Sequence, residues 1–535
     1  MSESPFPPGV EYGKRIPISV IESRAQNPDD KPWVSVPINE EDLSRGFKDI
    51  SFRQLNNWAN HAAHWLSQNL PQTDEPFQSF AYAGPKDLRY PILATAVAKL
   101  QKVMILPSPL ITPEAQMRVL DAKKCTVYLR PASMAEEVGD ILKDAPEVTV
   151  ITVPEPDEFM RGTEAIPFSY PKTWEEGKDD PWLVFHTSGL PKPITVTHAK
   201  FATVERGLSV PDGEPSMAHK WVNRRLYTPV PSLHFFGFGM LITYTTFLRA
   251  TLVLGPSTPP SPQTVADVLH YGRVKGAAIT PALIEELCRT PVGFHALCQL
   301  DFICFVGAPL SAHTGNQLIP HVDILPRIGS TEAGPYPIVP HDKEDAWDYA
   351  RFHSKSGIVF EYRYDDMYEM IMERPPGEIM QMIWYTYPEL DRFETKDLWV
   401  KHPVYEGFWK IVGRTDDYIP LSHADGLYAA SLEPEIEAHP AVKAAVIGGH
   451  GRPAPVLVVE VYPDAVEGKS AEEIVASLRP NIERANARCH ACVQIAMERV
   501  ILTQEGKPFA RTSKGSVARK PSLDLYKDEI AALFD

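Results

Sequence analysis

Over its first 330 residues the chain alternates short apolar runs with helical stretches, and this alternation limits the fold more than any other feature. Apolar runs stand at 103–106, 126–129, 148–153, 250–254, 277–280, 302–306 and 322–325. They are too short for helices and too continuous for half-exposed strands. Helical patterns lie between them. Ser51-Phe52-Arg53-Gln54 has the form of a capping box, and Leu55, Trp58, Ala59, Ala62 and Leu66 then repeat at helical spacing. A second helix fits 87–100, with Tyr90, Leu93, Ala94, Val97 and Leu100 on one side. Strands of this kind alternating with helices imply largely parallel sheets covered on both faces.

After Glu332 the texture changes. Residues 358–364, 368–373 and 378–385 alternate or run apolar around the turn signal Pro375-Pro376-Gly377, which predicts antiparallel β structure. Past Gly413 a smaller unit follows, with a helix at 432–439, apolar runs at 444–447 and 456–461, and a helix from Ala471. The expected fold is α/β: a large N-terminal lobe of α/β sheets with a β-rich subdomain, residues 1–412, and a small α+β C-terminal lobe, residues 413–535. No internal repeat stands out.

Composition narrows the function classes. Lys and Arg number 53 against 69 Asp and Glu, a net charge of −16, which argues against a nucleic-acid partner. The 52 prolines are scattered and read as stiff connections, not as a low-complexity tail. No apolar run approaches the ~18–20 residues of a membrane span, so no membrane association is expected. The first ten residues carry Glu3 and three prolines, unlike a secretory signal. Six cysteines make no disulfide framework, so a reducing, cytoplasmic compartment is expected. Cys489-His490-Ala491-Cys492 has no second pair at zinc spacing and reads as two ordinary thiols.

The chemistry-bearing residues are scattered along the chain. The short strand Trp182-Leu183-Val184-Phe185 runs into His186-Thr187-Ser188-Gly189-Leu190-Pro191-Lys192-Pro193. Glycine lets backbone N–H groups approach phosphate oxygens, hydroxyls donate, and lysine supplies charge. It is not a Walker loop, because G-x-x-x-x-G-K-[ST] is absent. Gly329-Ser330-Thr331-Glu332-Ala333-Gly334 offers hydroxyls and a carboxylate suited to Mg²⁺. Further on come Thr395-Lys396-Asp397, Gly413-Arg414-Thr415-Asp416-Asp417 and Arg511-Thr512-Ser513-Lys514-Gly515-Ser516. Read alone, each is as readily an ordinary polar turn; their order is what is specific.

In that order the motifs resemble the adenylate-forming superfamily, which includes acyl-CoA synthetases, luciferases and adenylation domains of peptide synthetases. The resemblance covers nearly the whole chain. Gly84-Pro85-Lys86-Asp87-Leu88-Arg89-Tyr90-Pro91-Ile92-Leu93, Leu106-Pro107-Ser108-Pro109, His186-Thr187-Ser188-Gly189, Pro231-Ser232-Leu233-His234 and Gly413-Arg414-Thr415-Asp416-Asp417 further resemble the adenylation domain of fungal synthetase-like carboxylic acid reductases. Those enzymes join an adenylation domain to a carrier domain and an NADPH-dependent reductase. No G-x-G-x-x-G and no carrier module is visible here, so the chain reads as the activating domain alone, cut from a longer protein.

The resemblance implies roles. Thr187, Ser188, Gly189 and Lys192 would hold the ATP β- and γ-phosphates. Within Gly329-Ser330-Thr331-Glu332, Thr331 would contact the α-phosphate and Glu332 would hold Mg²⁺. Asp397 would take the ribose hydroxyls, helped by Arg414. Lys514 would bridge substrate carboxylate and α-phosphate, and Asp416 would be the hinge of a mobile C-terminal lobe. His234, Phe235, Gly307 and Ala308 would shape the acyl pocket. The expected reaction converts a carboxylic acid and Mg-ATP to acyl-adenylate and pyrophosphate, then passes the acyl group to the phosphopantetheine of a carrier domain in the same protein. NADPH would serve only a downstream domain, and a monomer is expected. A free-standing acyl-CoA ligase and a catalytically impaired nucleotide- or acid-binding module are the alternatives.

Three departures from the pattern stand out. The phosphate loop is short, because Gly189 is followed directly by Leu190-Pro191-Lys192; Lys396 replaces the glycine of Thr-Gly-Asp; and Ile328 stands where an aromatic residue precedes Gly-x-Thr-Glu. The stretch around Leu233-His234 also lacks the Asp that pairs with the α-ammonium in amino-acid-activating relatives. A buried ammonium without a carboxylate is costly. An aryl acid or another acid without an α-amino group is therefore expected, and the aromatic content equally permits a quaternary-ammonium acid through cation–π contacts.

Overall fold

The computed structural model describes residues 10–27, 31–108, 111–187, 192–208, 214–258, 260–364, 366–376, 381–415, 418–422, 426–489, 491–511 and 516–534. The alternation of the first 330 residues becomes two mainly parallel sheets. One has six strands in the order Thr149–Thr152, Val127–Arg130, Ser79–Tyr82, Val103–Ile105, Pro181–His186, Pro193–Thr197. Only Pro193–Thr197 is antiparallel to its neighbour. The other runs Asp323–Arg327, Phe302–Val306, Gly276–Ile279, Arg225–Tyr227, Thr251–Val253, Val34–Pro37, Phe47–Ile50, with the last antiparallel. Phe302–Val306 is buried at every position, as a parallel strand covered on both faces must be.

Local signals act where they were read. Gln54 N–H donates to Ser51 Oγ at 3.3 Å and Ser51 N–H to Gln54 Oε1 at 3.0 Å, closing the capping box of Phe52–Asn69. The second helix, Arg89–Lys99, is buried on all sides rather than one. Its two charged ends tolerate this because Arg89 pairs with Asp87 at 2.6 Å, and Lys99 Nζ donates to Glu22, Asn56 and the Phe168 carbonyl at 2.6–2.8 Å.

A third sheet is antiparallel, in the order Ile338–Val339, Ala350–Phe352, Phe408–Arg414, Arg392–Lys401, Met367–Glu373, Ile358–Tyr364. The β structure expected at 378–385 is not among its strands: the described part contains a helical turn, Ile383–Thr386. Met382, Ile383 and Trp384 are buried in succession at 5%, 0% and 2% exposure. A strand with one solvent face would turn one of these three outward, whereas this helical turn is enclosed at all three.

Strand Phe408–Arg414 carries the chain past 412, the division expected from the sequence, as far as Arg414. Beyond it a three-stranded sheet, Val442–Gly448, Val456–Val461 and Val500–Leu502, packs with helices Ala429–Glu437 and Ala471–Asn486. The apolar clusters of this region draw only on residues 419–534. Arg289 reaches across from the large lobe, its guanidinium 3.5 Å from the Tyr462 ring centroid. Of the Cys-x-x-Cys pair, Cys489 Sγ donates to the Ala485 carbonyl at 3.7 Å, while His490 and the Cys492 side chain lie outside the described residues. Among the described residues no helix is long and apolar enough to cross a membrane.

Candidate active site

The parallel strands Gly276–Ile279, Phe302–Val306 and Asp323–Arg327 end at a common edge, and a cleft opens beyond their carboxyl ends. In open α/β sheets this is where ligands bind. The cleft encloses about 510 Å³, counted out to its open mouth. Thr280, Val306, Gly307 and Arg327–Thr331 form the strand-end wall, and Val230, His234, Phe235 and Phe236 face them. Six residues expected from the sequence to lie near ATP or the acyl group thus meet in one cavity: His234, Phe235, Gly307, Gly329, Ser330 and Thr331. Ala308 is not part of the lining. It follows Gly307, whose φ of +89° turns the chain away at the end of its strand.

Each wall is held locally. Gly329-Ser330 pairs antiparallel with Gly334-Pro335, so Thr331 and Glu332 occupy a tight turn. A Cβ on Gly329 would lie 2.3 Å from the Gly334 carbonyl oxygen, so only glycine fits there. Ile328, in place of the expected aromatic, packs as an aliphatic side chain against the core and lines the cleft. On the facing wall His234 caps the helix Phe235–Gly239, its Nδ1 accepting the Phe236 N–H at 3.2 Å. Phe238 is wholly core, Phe235 stacks on Phe201 with 5.5 Å between centroids, and Phe236 is the half-buried ring.

Lys200 organises the turn from behind. It is fully buried, and its Nζ donates to the carbonyls of Thr331 and Glu332 at 2.9 and 3.0 Å. Burial pushes its ammonium down to about 7, against the opposing pull of the Glu332 charge. Thr386 Oγ1 donates to the same Glu332 carbonyl at 2.6 Å. Among the described residues the half-buried Glu332 carboxylate itself has no hydrogen-bond or ion-pair partner.

Two bonds close the neck of the segment that was expected to bind phosphate. Thr187 N–H donates to the Lys192 carbonyl at 3.2 Å, and Lys192 N–H donates to Thr187 Oγ1 at 3.1 Å. Ser188 and Gly189, between them, lie outside the described residues. Lys192 Nζ donates to Tyr387 Oη at 2.8 Å, which with the nearby Glu332 charge holds the ammonium above its ordinary range. Before the neck, His186 Nε2 accepts the Ser108 N–H at 3.0 Å and Nδ1 faces the Thr187 carbonyl at 3.0 Å. The proton therefore sits on Nδ1, and burial keeps the ring neutral by lowering its pKa.

Asp397 is 6% exposed and held from two sides: Tyr336 Oη donates to Oδ2 at 2.7 Å, and Arg414 Nη1 to Oδ1 at 2.9 Å. Arg414 reaches it because the two residues stand opposite in the antiparallel register. Lys396 is exposed and adopts φ +64°, the left-handed conformation for which the family pattern carries glycine. Asp416 and Lys514 lie outside the described residues.

Residues 21–355 match the family described as AMP-binding enzyme, and residues 416–535 match the AMP-binding enzyme C-terminal domain. The chain belongs to the AMP-binding enzyme family. It is an adenylate-forming ligase that uses ATP. A carboxylic acid reductase of Neurospora crassa is 31% identical over all of this chain and 52% of its own length. An isocyanide synthase–NRPS hybrid of Aspergillus fumigatus is 28% identical over 98% of the chain and 34% of its own length. An adenylate-forming reductase of Heterobasidion annosum is 27% identical over 70% of the chain and 35% of its own. The chain thus spans between about a third and about half of the length of these curated relatives. Among solved structures, an anthranilate CoA ligase in complex with anthranoyl-AMP superposes with a TM-score of 0.71 at 14% identity, covering 99% of both chains. ATP-bound MatB from Rhodopseudomonas palustris gives 0.71 at 17%, covering 96% and 99%. At such identities the structures establish the fold.

Within this AMP-binding enzyme, sequence reasoning missed Lys200, Tyr336, Arg327 and Thr386. Lys200 left a signal, a lone charge in His198-Ala199-Lys200-Phe201-Ala202, where burial demands a polar partner. The partners of the others are remote in sequence and left none.

Proposed function

We propose that this chain activates a carboxylic acid without an α-ammonium group, forming an acyl-adenylate and pyrophosphate from ATP, and passes the acyl group to a phosphopantetheine thiol of a carrier domain. In the full-length protein a downstream NADPH-dependent domain then reduces the thioester to an aldehyde. The observation that carries this reading is the cleft lining: among the described residues none that lines it is acidic, and it opens against the turn that bears Thr331 and Glu332. An α-ammonium would enter that cavity without a carboxylate to pair with.

The residues present fit Mg²⁺. Among the described residues Glu332 offers one partnerless carboxylate, and no group of three or more potential ligands forms a closed metal cage. Mg²⁺ is commonly held by one or two carboxylates together with substrate phosphates. Glu332 would hold it, and the ion would neutralise phosphate charge as the acid attacks. Thr331 would donate its hydroxyl to the α-phosphate. Lys192, at the neck of the short loop, would face the β- and γ-phosphates with Thr187, Ser188 and Gly189. Asp397, preset by Tyr336 and Arg414, would accept both ribose hydroxyls. Lys514 would offset repulsion between the two anions that must meet. The large unit, through Arg414, would bind both substrates, and the small unit would turn about Asp416 to admit the thiol.

Acid-dependent exchange of pyrophosphate into ATP, run across a panel of carboxylic acids, tests the first step. Exchange confined to proteinogenic amino acids would refute the pocket assignment, and no exchange with any acid would favour the impaired-module alternative. Titrating a carrier domain against free coenzyme A separates the carrier reading from a CoA ligase.

A further inference from the structure

One charged side chain in the cleft has no place in the chemistry above. Arg327 ends the strand Asp323–Arg327 and lines the cavity among Val230, Phe235, Phe236, Val306 and Ile328. Its Nη2 donates to Tyr244 Oη at 2.8 Å and its Nη1 to the Tyr336 carbonyl at 3.3 Å. Its Nε is buried and has no hydrogen-bond partner among the described residues. Among the described residues no carboxylate pairs with it.

A guanidinium has five N–H donors and cannot be deprotonated in a protein. Here two neutral oxygens occupy two of them, so a permanent positive charge stands in a largely apolar wall. Leaving such a charge without a counter-charge is unfavourable, and the nearest space in which one could be supplied is the cavity itself. The fixed charge also opposes a cationic ligand in the same cavity. That weighs against one of the two pocket readings left open by the sequence: a quaternary ammonium would meet the aromatic rings but also Arg327.

We propose that Arg327 is a specificity determinant, and that the acid activated here carries a second oxygen acceptor, best met by a carboxylate, which the guanidinium receives at the acyl end of the cleft. This rests on the proposed acid-activating function and names its substrate class. A carboxylate suits the planar fork of the guanidinium and brings the missing charge; a hydroxyl would bring only an acceptor.

The test compares matched acids in pyrophosphate exchange: benzoate with its 2-, 3- and 4-carboxy and hydroxy derivatives, butyrate with succinate, and trimethylammonioacetate as the cationic arm. The wild type is expected to favour at least one acceptor-bearing acid over its plain partner by about tenfold or more in kcat/KM, with the cationic acid the poorest. Carboxy above hydroxy assigns the acceptor as anionic; the reverse order assigns it as neutral, and overturns the charge argument. In Arg327→Gln the preference is expected to fall about tenfold, with Arg327→Lys between the two. Equal loss for both members of a pair would place Arg327 on the reacting carboxyl and overturn the proposal. So would a wild type that shows no preference, a measurement that stands whether or not the variants fold. Absence of exchange with every acid would instead defeat the underlying function.

Discussion

Replacing Lys200 by Met leaves an unbranched, buried side chain one atom shorter and removes its charge. The structure sets the expected effect on stability. Two charge-assisted bonds to the Thr331 and Glu332 carbonyls, at 2.9 and 3.0 Å, are worth about 1.5–3 kcal/mol each. Against them stands the cost of a buried ammonium, whose pKa is lowered from 10.5 to about 7, roughly 4–5 kcal/mol. The two nearly cancel, so the thermal midpoint of Lys200→Met should stay close to wild type. Catalysis should not. The Glu332 carbonyl keeps its bond from Thr386, but the Thr331 carbonyl loses its donor, and the turn is then tethered at one point instead of two. A displacement of about 1 Å in positioning groups can cost ~10²-fold in rate. Exchange of pyrophosphate into ATP should therefore fall about a hundredfold in kcat, with the KM for the acid little changed. The assay is steady-state exchange beside a melting curve of the same sample. Exchange within threefold of wild type would show that Lys200 does not hold the turn. A loss that merely follows a fall in melting temperature would reduce the residue to a stability role.

Tyr336→Phe removes the 2.7 Å bond to Asp397 without changing volume, so KM for ATP should rise about tenfold while kcat stays near wild type; a fall in kcat at unchanged KM would contradict a ribose-binding role for Asp397. Lys396→Gly relieves a left-handed conformation at φ +64° and should stabilise the protein by about 0.5–1 kcal/mol in denaturant unfolding, whereas a loss would show the strain to be absent. His198 is 2% exposed, packs against Trp182, and is pushed by burial down to about 3 from 6.5. Its folded form thus resists a proton that the unfolded chain binds, so this stability is complete above pH ~7 and is lost as pH falls through 6.5 towards 3. Going from pH 7.5 to 5 should cost about 2 kcal/mol in wild type. His198→Phe should remove that slope from the unfolding curve of the large lobe, and an unchanged slope would assign the acid sensitivity elsewhere.

Much of the architecture was legible because it is written at short range. The capping box at Ser51, the buried run 302–306 and the alternating run 358–364 each formed as the period of their side chains required. The segment 381–385 failed because its apolar residues are consecutive, and a consecutive run fits a strand or a helical turn until its neighbours are known. The glycine turn at 329–334 left its mark in the sequence as a special backbone conformation, whereas His234, Phe235 and Gly307 were expected by family resemblance alone and the fold places them along one cleft.

What the sequence by itself determined, then, was everything set by local stereochemistry and by the order of the motifs: strand and helix periods, caps, the tight glycine turn and membership of a family. Tertiary structure decided which groups face one another. Tyr336 and Asp397 stand 61 residues apart, and Lys200 and Thr331 stand 131 apart. Arg327 is an ordinary strand-end arginine until the fold places Tyr244 on one side of it and the cleft on the other. The physical reason is the range of the forces. Dihedral preference and apolar period act over a few residues, whereas the cost of burying a charge is fixed only when the chain has closed around it.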